Sequence, residues 1–431
     1  MTQTAGAPAP SQTPAMRPTA TVAAPAPPVA ATAGGRDLSE NVPSLLNRLQ
    51  VLAVVACVLF GAVAAVLQVL SWQANGRAAA NTEQVVRVQQ IQSLLLRADA
   101  IATNSYLVGG LEPADARAEY DSSIDTALRL ITDAAEAQPA DREVLADLNA
   151  AVASYTTSVA QARDYNRQQL VIGIAYLNQA GKALRDEALP ITQALADANA
   201  ERATGEMDGQ SPVWLLLCGI AALVVLVVVN RQIARRFHRR FNVGLVVAAL
   251  VVAGLTLATA AHAQAEHNGN EGLQDGHYEA AVDAATARTA ANNAKAVESL
   301  GLVNRGAGAT YEKEWVRQAD IVEESADGLT LDQWQAYADQ HEAIRDADEA
   351  GDWDGAVALA TSTDDGSATD LLDAVDASAA AEAEVNGTEA ADGFRDGGAF
   401  SIILVVLTAL GALVAAFAAS RGIGTRRREY A

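Results

Sequence analysis

Four apolar runs bordered by arginine constrain this chain more than any other feature. They are Val51–Leu70, Val213–Val229, Val243–Ala261 and Phe400–Ala419. Each holds roughly 20 uncharged residues, the length a helix needs to cross a bilayer core. A segment in lipid must satisfy its own backbone hydrogen bonds, so all four are predicted helices. Arg48 precedes the first run. Arg231, Arg235, Arg236, Arg239 and Arg240 fill the link between the second and third, and Arg421, Arg426, Arg427 and Arg428 follow the fourth. Basic residues are retained on the cytoplasmic side. Both termini and the short arginine link are therefore expected inside, and the two long stretches between runs outside.

That pattern predicts nine segments. They are a disordered cytoplasmic tail over 1–48, a span over 49–71, an extracytoplasmic domain over 72–211 and a span over 212–229. A cytoplasmic Arg-rich link over 230–240, a span over 241–261 and an acidic extracytoplasmic domain over 262–398 follow, then a span over 399–419 and a basic tail over 420–431. The tail over 1–35 is Ala, Pro and Thr, with too little apolar bulk to fold. Its length argues against reading the first run as a cleaved signal peptide. Ala261-His262-Ala263 resembles a cleavage site, which leaves processing after the third span as an alternative.

Helical periodicity fills the first outer stretch. Ile91, Leu94, Ala98, Ile101, Ser105 and Val108 step by three and four, as do Leu145, Leu148, Val152, Tyr155, Val159 and Ala162. Tyr120, Ile124, Ala127, Ile131 and Ala134 form a third stripe, and Leu177, Ala180, Leu184, Glu187, Ile191 and Ala194 a fourth. Such stripes are the seams of helices packed side by side. Breakers at 109–113, Gln138-Pro139 and 170–173 separate them. The second stretch repeats the plan through Tyr311, Trp315, Gln318 and Val322, then Trp334, Tyr337, His341 and Ile344, then Leu371, Ala374, Ser378, Ala381 and Val385. An offset of 196 aligns Ala98-Asp-Ala-Ile with Ala294-Lys-Ala-Val, and Leu107 and Gly110 with Val303 and Gly306. The predicted fold is all-α: four transmembrane helices with two extracytoplasmic four-helix-bundle domains, arranged as tandem span–bundle–span modules. The turns at 109–113, 164–176, 305–310 and 351–367 then lie far from the membrane.

Charge and motifs narrow the function. The net charge of −22 argues against nucleic acid as a partner. The second outer stretch carries 30 acidic and 7 basic residues, against 19 and 11 in the first. That acidity is either a solvated surface or a face for a basic partner. Cys57 and Cys218 both lie in apolar runs, so no disulfide framework is expected outside. The spacing of His262, His267 and His277 does not suit a metal site, and His341 on its apolar stripe reads first as a core residue. No phosphate loop, Ser-His-Asp ordering or HExxH motif occurs, so no enzyme, cofactor or metal is expected.

The order of segments resembles that of the GlnX-type four-pass membrane proteins of actinobacteria. The strings that carry the resemblance are Asn166-Arg-Gln-Gln-Leu-Val-Ile-Gly-Ile-Ala-Tyr-Leu177, Lys295-Ala-Val-Glu-Ser-Leu-Gly-Leu-Val-Asn-Arg-Gly306 and Tyr311-Glu-Lys-Glu-Trp315. The Ala and Asp richness of the chain departs from the family's usual composition. The resemblance implies work beside an extracytoplasmic amino-acid-binding lipoprotein and a soluble cytoplasmic serine/threonine kinase, relaying amino-acid availability inward. The first outer stretch is also similar to chemoreceptor sensor bundles, many of which pair as homodimers, although no HAMP, methylation or kinase region follows it.

Position alone selects candidate contact residues. Near the outer tips these are Glu112, Arg167, Tyr176, Arg305, Tyr311 and Trp353; inside they are Arg235, Arg236, Arg239 and Arg240, which also meet membrane lipids. The expected function is a non-enzymatic transmembrane sensor or relay. The alternative is a structural envelope scaffold or tether. A transporter is disfavoured, because the spans hold no charged residues to line a path.

Overall fold

The computed structural model describes residues 42–208, 212–237 and 242–429. All regular structure among them is helical. Four helices are long and apolar enough to cross a membrane. Arg239, Arg240 and the tail expected over the first 41 residues lie outside the described residues.

The first half opens with α1 (Val42–Val108), one unbroken helix of 67 residues. At 1.5 Å per residue it is about 100 Å long, so a single rod joins the apolar run to the far tip. Its polar half has Gln, Asn and Arg spaced among Ile, Leu and Ala, with no Pro or Gly after Gly76 to stop it until Gly109. There the chain reverses through Gly109 and Gly110, at φ +69° and +65°, a region that suits glycine. Helices α2 (Ala114–Ala137) and α3 (Arg142–Arg167) follow as a hairpin closed by Gln138-Pro139. The return helix is α4 (Ile172–Ala183), a π turn at Leu184–Ala188, and α5 (Leu189–Asp208). These helices enclose a core of Ile91, Leu95, Ile131, Leu148, Tyr155 and Leu184. The stripes from Ile91 to Ser105, Tyr120 to Ala134 and Leu145 to Ala162 are its buried faces, but Val108 is exposed and the fourth stripe holds only to Leu184: the π turn shifts the buried positions to Ala188, Thr192 and Leu195 and leaves Glu187 and Ala194 exposed. The apolar helix α6 (Val213–Phe237) completes the half.

The second half repeats this order. Helix α7 (Val243–Leu273) begins at Asn242, whose side-chain oxygen accepts from Gly244 N at 3.1 Å and caps the helix. It continues through a π turn at Gln274–Tyr278 into α8 (Glu279–Val303). Then come α9 (Gly308–Ser325), α10 (Gly328–Glu349), the short α11 (Trp353–Thr361), α12 (Ala368–Arg395) and the apolar α13 (Gly398–Glu429). Caps from Asp352 to Gly355 N and from Ser367 to Asp370 N start α11 and α12. The hexapeptide Ser-Thr-Asp-Asp-Gly-Ser therefore splits the helix that is continuous in the first half.

The halves do not stand apart. Helix α1 packs along α2 and α5 of its own half and along α8 and α12 of the other. Ser93 Oγ on α1 lies 2.7 Å from Thr289 Oγ1 on α8. These two residues are 196 apart, the repeat offset itself. Equivalent positions that touch each other place a local two-fold axis between them. Near the spans, Asn270 Nδ2 donates to Asn75 Oδ1 at 3.0 Å across the same seam. Arg97 on α1 holds both Glu119 on α2 and Asp373 on α12. The two outer stretches were expected to have separate cores, yet Leu107, Ala162 and Leu177 of the first half share a core with Trp315, Trp334 and Tyr337 of the second. The physical reason is that each α1-type helix is apolar on more than one face near its tip.

The spans form a ring in which α1 and α7 each neighbour α6 and α13. Leu46, Cys57, Phe60, Leu226, Leu245 and Ala419 fill its centre. Val58, Leu59, Leu217, Val227, Leu250 and Phe417 are exposed on its outside, as lipid-facing residues would be. Glycine permits the tightest crossings: a Cβ on Gly61 would stand 2.2 Å from Ala412 Cβ, and one on Gly244 2.3 Å from Ala418 O.

Candidate functional site

The tip farthest from the spans gathers the residues selected by position. Glu112 accepts from Arg163 Nη2 at 2.9 Å and lies 3.9 Å from Arg117, and its side chain is largely buried. The same Arg163 guanidinium lies 3.9 Å above the Tyr120 ring. Glu112 is therefore a structural counter-ion that closes α1–α2 onto α3, while Arg167 projects beside it into solvent. Tyr176 stacks on Tyr165 at 5.2 Å. Asn178 Nδ2 donates to Asn304 Oδ1 at 3.1 Å, and Asn304 donates to Tyr311 Oη at 3.1 Å. Tyr176 and Tyr311 thus sit near one bridge between halves. Arg305 stacks over Trp353 at 3.6 Å, and Trp353 Nε1 donates to Leu302 O at 3.0 Å. Arg305 keeps its donors exposed. At the other end, Arg235 and Arg236 are exposed in the last turn of α6.

Beneath the second tip lies a feature that positional reasoning missed. Glu298 on α8 has a side chain only 1% exposed. It accepts from Lys295 Nζ at 2.6 Å, from Tyr337 Oη at 3.1 Å and from His341 Nδ1 at 2.8 Å. Lys295 also donates to Ala360 O at 2.8 Å. His341 Nε2 lies 3.2 Å from Glu312 Oε2, which is also ion-paired with Arg345, Nε to Oε2 at 3.0 Å. The His341 ring lies flat on Trp315 at 3.7 Å. Both imidazole nitrogens face carboxylates, so both carry protons and the ring is an imidazolium.

The electrostatics follow. Burial pushes the Glu298 carboxyl up, but Lys295 and the His341 hydrogen bond outweigh it and hold it down at about 2. Burial pulls His341 down, but its bonds to Glu298 and Glu312 win and raise it. Burial lifts the Tyr337 phenol well above its ordinary value, with Glu298 adding to the effect, so it remains a donor. The cluster ties α8, α9, α10 and α11 together. The charged pair Lys295/Glu298, three apart inside an otherwise apolar stretch, was the available sequence signal.

In the first half the corresponding depth holds a simpler pair. Asp99 on α1 accepts from Arg185 Nη2 at 2.8 Å, with Asp99 fully buried. Arg185 belongs to the π turn at Leu184–Ala188. No group of three or more potential metal ligands occurs among the described residues.

A protein-family model described as the actinobacterial sensor domain matches residues 74–208. The match runs from the outer half of α1 to the end of α5, so it covers the first half's helices beyond the spans. No curated protein and no solved structure matches the chain. With four helices fit to span a membrane, the match supports a multi-pass actinobacterial membrane protein with a sensing role.

Proposed function

We propose that this chain is a non-enzymatic transmembrane relay that couples extracytoplasmic amino-acid availability to a cytoplasmic partner. The observation that carries the reading is the continuity of α1 from apolar run to tip, within a segment that resembles a sensor domain. A helix without a break transmits an axial or rotational shift over its whole length, and shifts of about 1–2 Å are enough for signalling. The resemblance to GlnX-type proteins supplies the partners: an amino-acid-binding lipoprotein at the tips and a soluble serine/threonine kinase at the arginine link. Exposed Arg167 and Arg305 offer guanidinium groups to the first, and Arg235 and Arg236 to the second. In this reading the helical units beyond the spans are extracytoplasmic four-helix bundles, and both termini are cytoplasmic.

Cross-linking in intact cells tests it. A photoreactive residue in place of exposed Ala309, four residues from Arg305, should capture the lipoprotein in an amino-acid-dependent manner. Arg167→Glu with Arg305→Glu should reduce capture, and Arg235→Glu with Arg236→Glu should leave it unchanged while releasing the kinase. Capture that ignores both amino acids and the tip substitutions would refute the reading.

A further inference from the structure

A cavity of about 320 Å³ opens where the four apolar helices meet the helices beyond them. Every span contributes to its wall: Leu67 and Leu70 from α1, Trp214 from α6, Thr259 from α7 and Ser401 from α13. Leu70 and Trp214 are 51% and 63% exposed while also lining the cavity. Its mouth therefore opens sideways onto the face that lipid covers.

The interior is not purely greasy. Gln68, only 7% exposed, donates from Nε2 to Ala64 O and to Thr408 Oγ1, but its buried Oε1 has no partner among the described residues. A buried acceptor without a donor is unfavourable, so its place in a cavity wall calls for a donor from a guest. Further out, Ser401 Oγ donates to Glu266 Oε1 at 2.8 Å, and His262 Nε2 lies 3.2 Å from the same oxygen. Arg77, also in the wall, is held by both oxygens of Glu206 at 2.7 and 2.8 Å. The charge left uncompensated by an arginine or lysine is the Glu266 carboxylate. An apolar side door, an orphan acceptor and residual negative charge select one class of ligand.

We propose that this cavity binds the headgroup of a membrane lipid that carries an N–H donor, an ammonium lipid, with its tails leaving between Leu70 and Trp214 into the bilayer. Gln68 Oε1 takes one N–H, and Glu266 balances the charge. The volume suits a headgroup and excludes the tails. Because α1, α6, α7 and α13 all border it, occupancy reports the lipid to every span at once.

Native mass spectrometry of the detergent-solubilised full chain, titrated with phosphatidylethanolamine or phosphatidylcholine of matched chains, tests this. The choline headgroup has no N–H donor. Wild type should retain one phosphatidylethanolamine with about tenfold preference, the scale of one hydrogen bond to a charged group. Gln68→Leu should bring the two lipids to parity. Ala263→Phe, which fills the cavity from α7, should abolish retention with an unchanged melting temperature. Equal retention of both lipids by wild type, no retained lipid, or an undiminished preference in Gln68→Leu would overturn the proposal.

Discussion

Lys295, Glu298 and His341 put a buried charged cluster inside the second half. Removing one partner from a buried ion pair leaves a bare charge and destabilises by about 3–5 kcal/mol. Lys295→Met should therefore lower the stability of the purified full chain by that order in chemical denaturation. Adding Glu298→Gln should recover much of the loss, because the remaining neighbours then face a neutral amide. Failure of the double variant to recover would mean that Lys295 acts through packing. The pH dependence follows from two opposite shifts. Glu298 ordinarily titrates at 4.5 and is held at about 2, so its contribution is present above 4.5 and lost as pH falls toward 2. His341 is raised above 6.5, so its contribution is complete below 6.5 and lost as pH rises through its folded value. Stability from this cluster should peak between 4.5 and 6.5. His341→Gln should flatten the alkaline limb of a stability-against-pH curve and also shrink the acid limb, because the His341 hydrogen bond helps Lys295 to hold Glu298 down.

At the scale of elements, the spans depend on glycine at their crossings. A Cβ at Gly244 would press on the backbone of Ala418 and Gly422, which cannot rotate away. Gly244→Leu should separate α7 from α13 and destabilise by about 1–3 kcal/mol, the usual effect of overpacking. The fraction of monodisperse protein after solubilisation measures this. Gly254, with open space around it, is the control, and its Leu variant should behave as wild type. Much at this scale was legible in the chain. The apolar runs became α1, α6, α7 and α13, and stripes such as Leu145 to Ala162 became buried faces, because periodicity of 3.6 is a local property. The π turns at 184–188 and 274–278 were not legible, since an extra residue in a turn leaves the composition unchanged. The Lys295–Glu298 pair was visible in the chain, but His341 sits on another helix, and only the fold brings its Nδ1 to 2.8 Å from Glu298.

For the whole molecule, the repeat offset of 196 was a faint sequence signal whose meaning emerged in three dimensions. It relates Ser93 to Thr289, and those two side chains touch on the local axis. The sequence suggested two modules side by side but carried no sign of which faces they share, because Ala and Ser stripes on α1 and α8 suit several partners. Helix α1 is clamped between its own helices and α8 and α12, and the proposed relay requires the halves to move as one body so that a push at either tip reaches both sets of spans. The reading of relay rather than scaffold depends on that seam. Introducing Ser93→Cys together with Thr289→Cys and oxidising mildly in native membranes tests the seam directly. In a background lacking Cys57 and Cys218, the account predicts an intramolecular disulfide that withholds both thiols from maleimide added after denaturation, whereas the thiol of either single variant, buried or not, then labels fully. Two thiols that remain fully reactive after oxidation would show that α1 and α8 do not meet, and the single-body account would be contradicted.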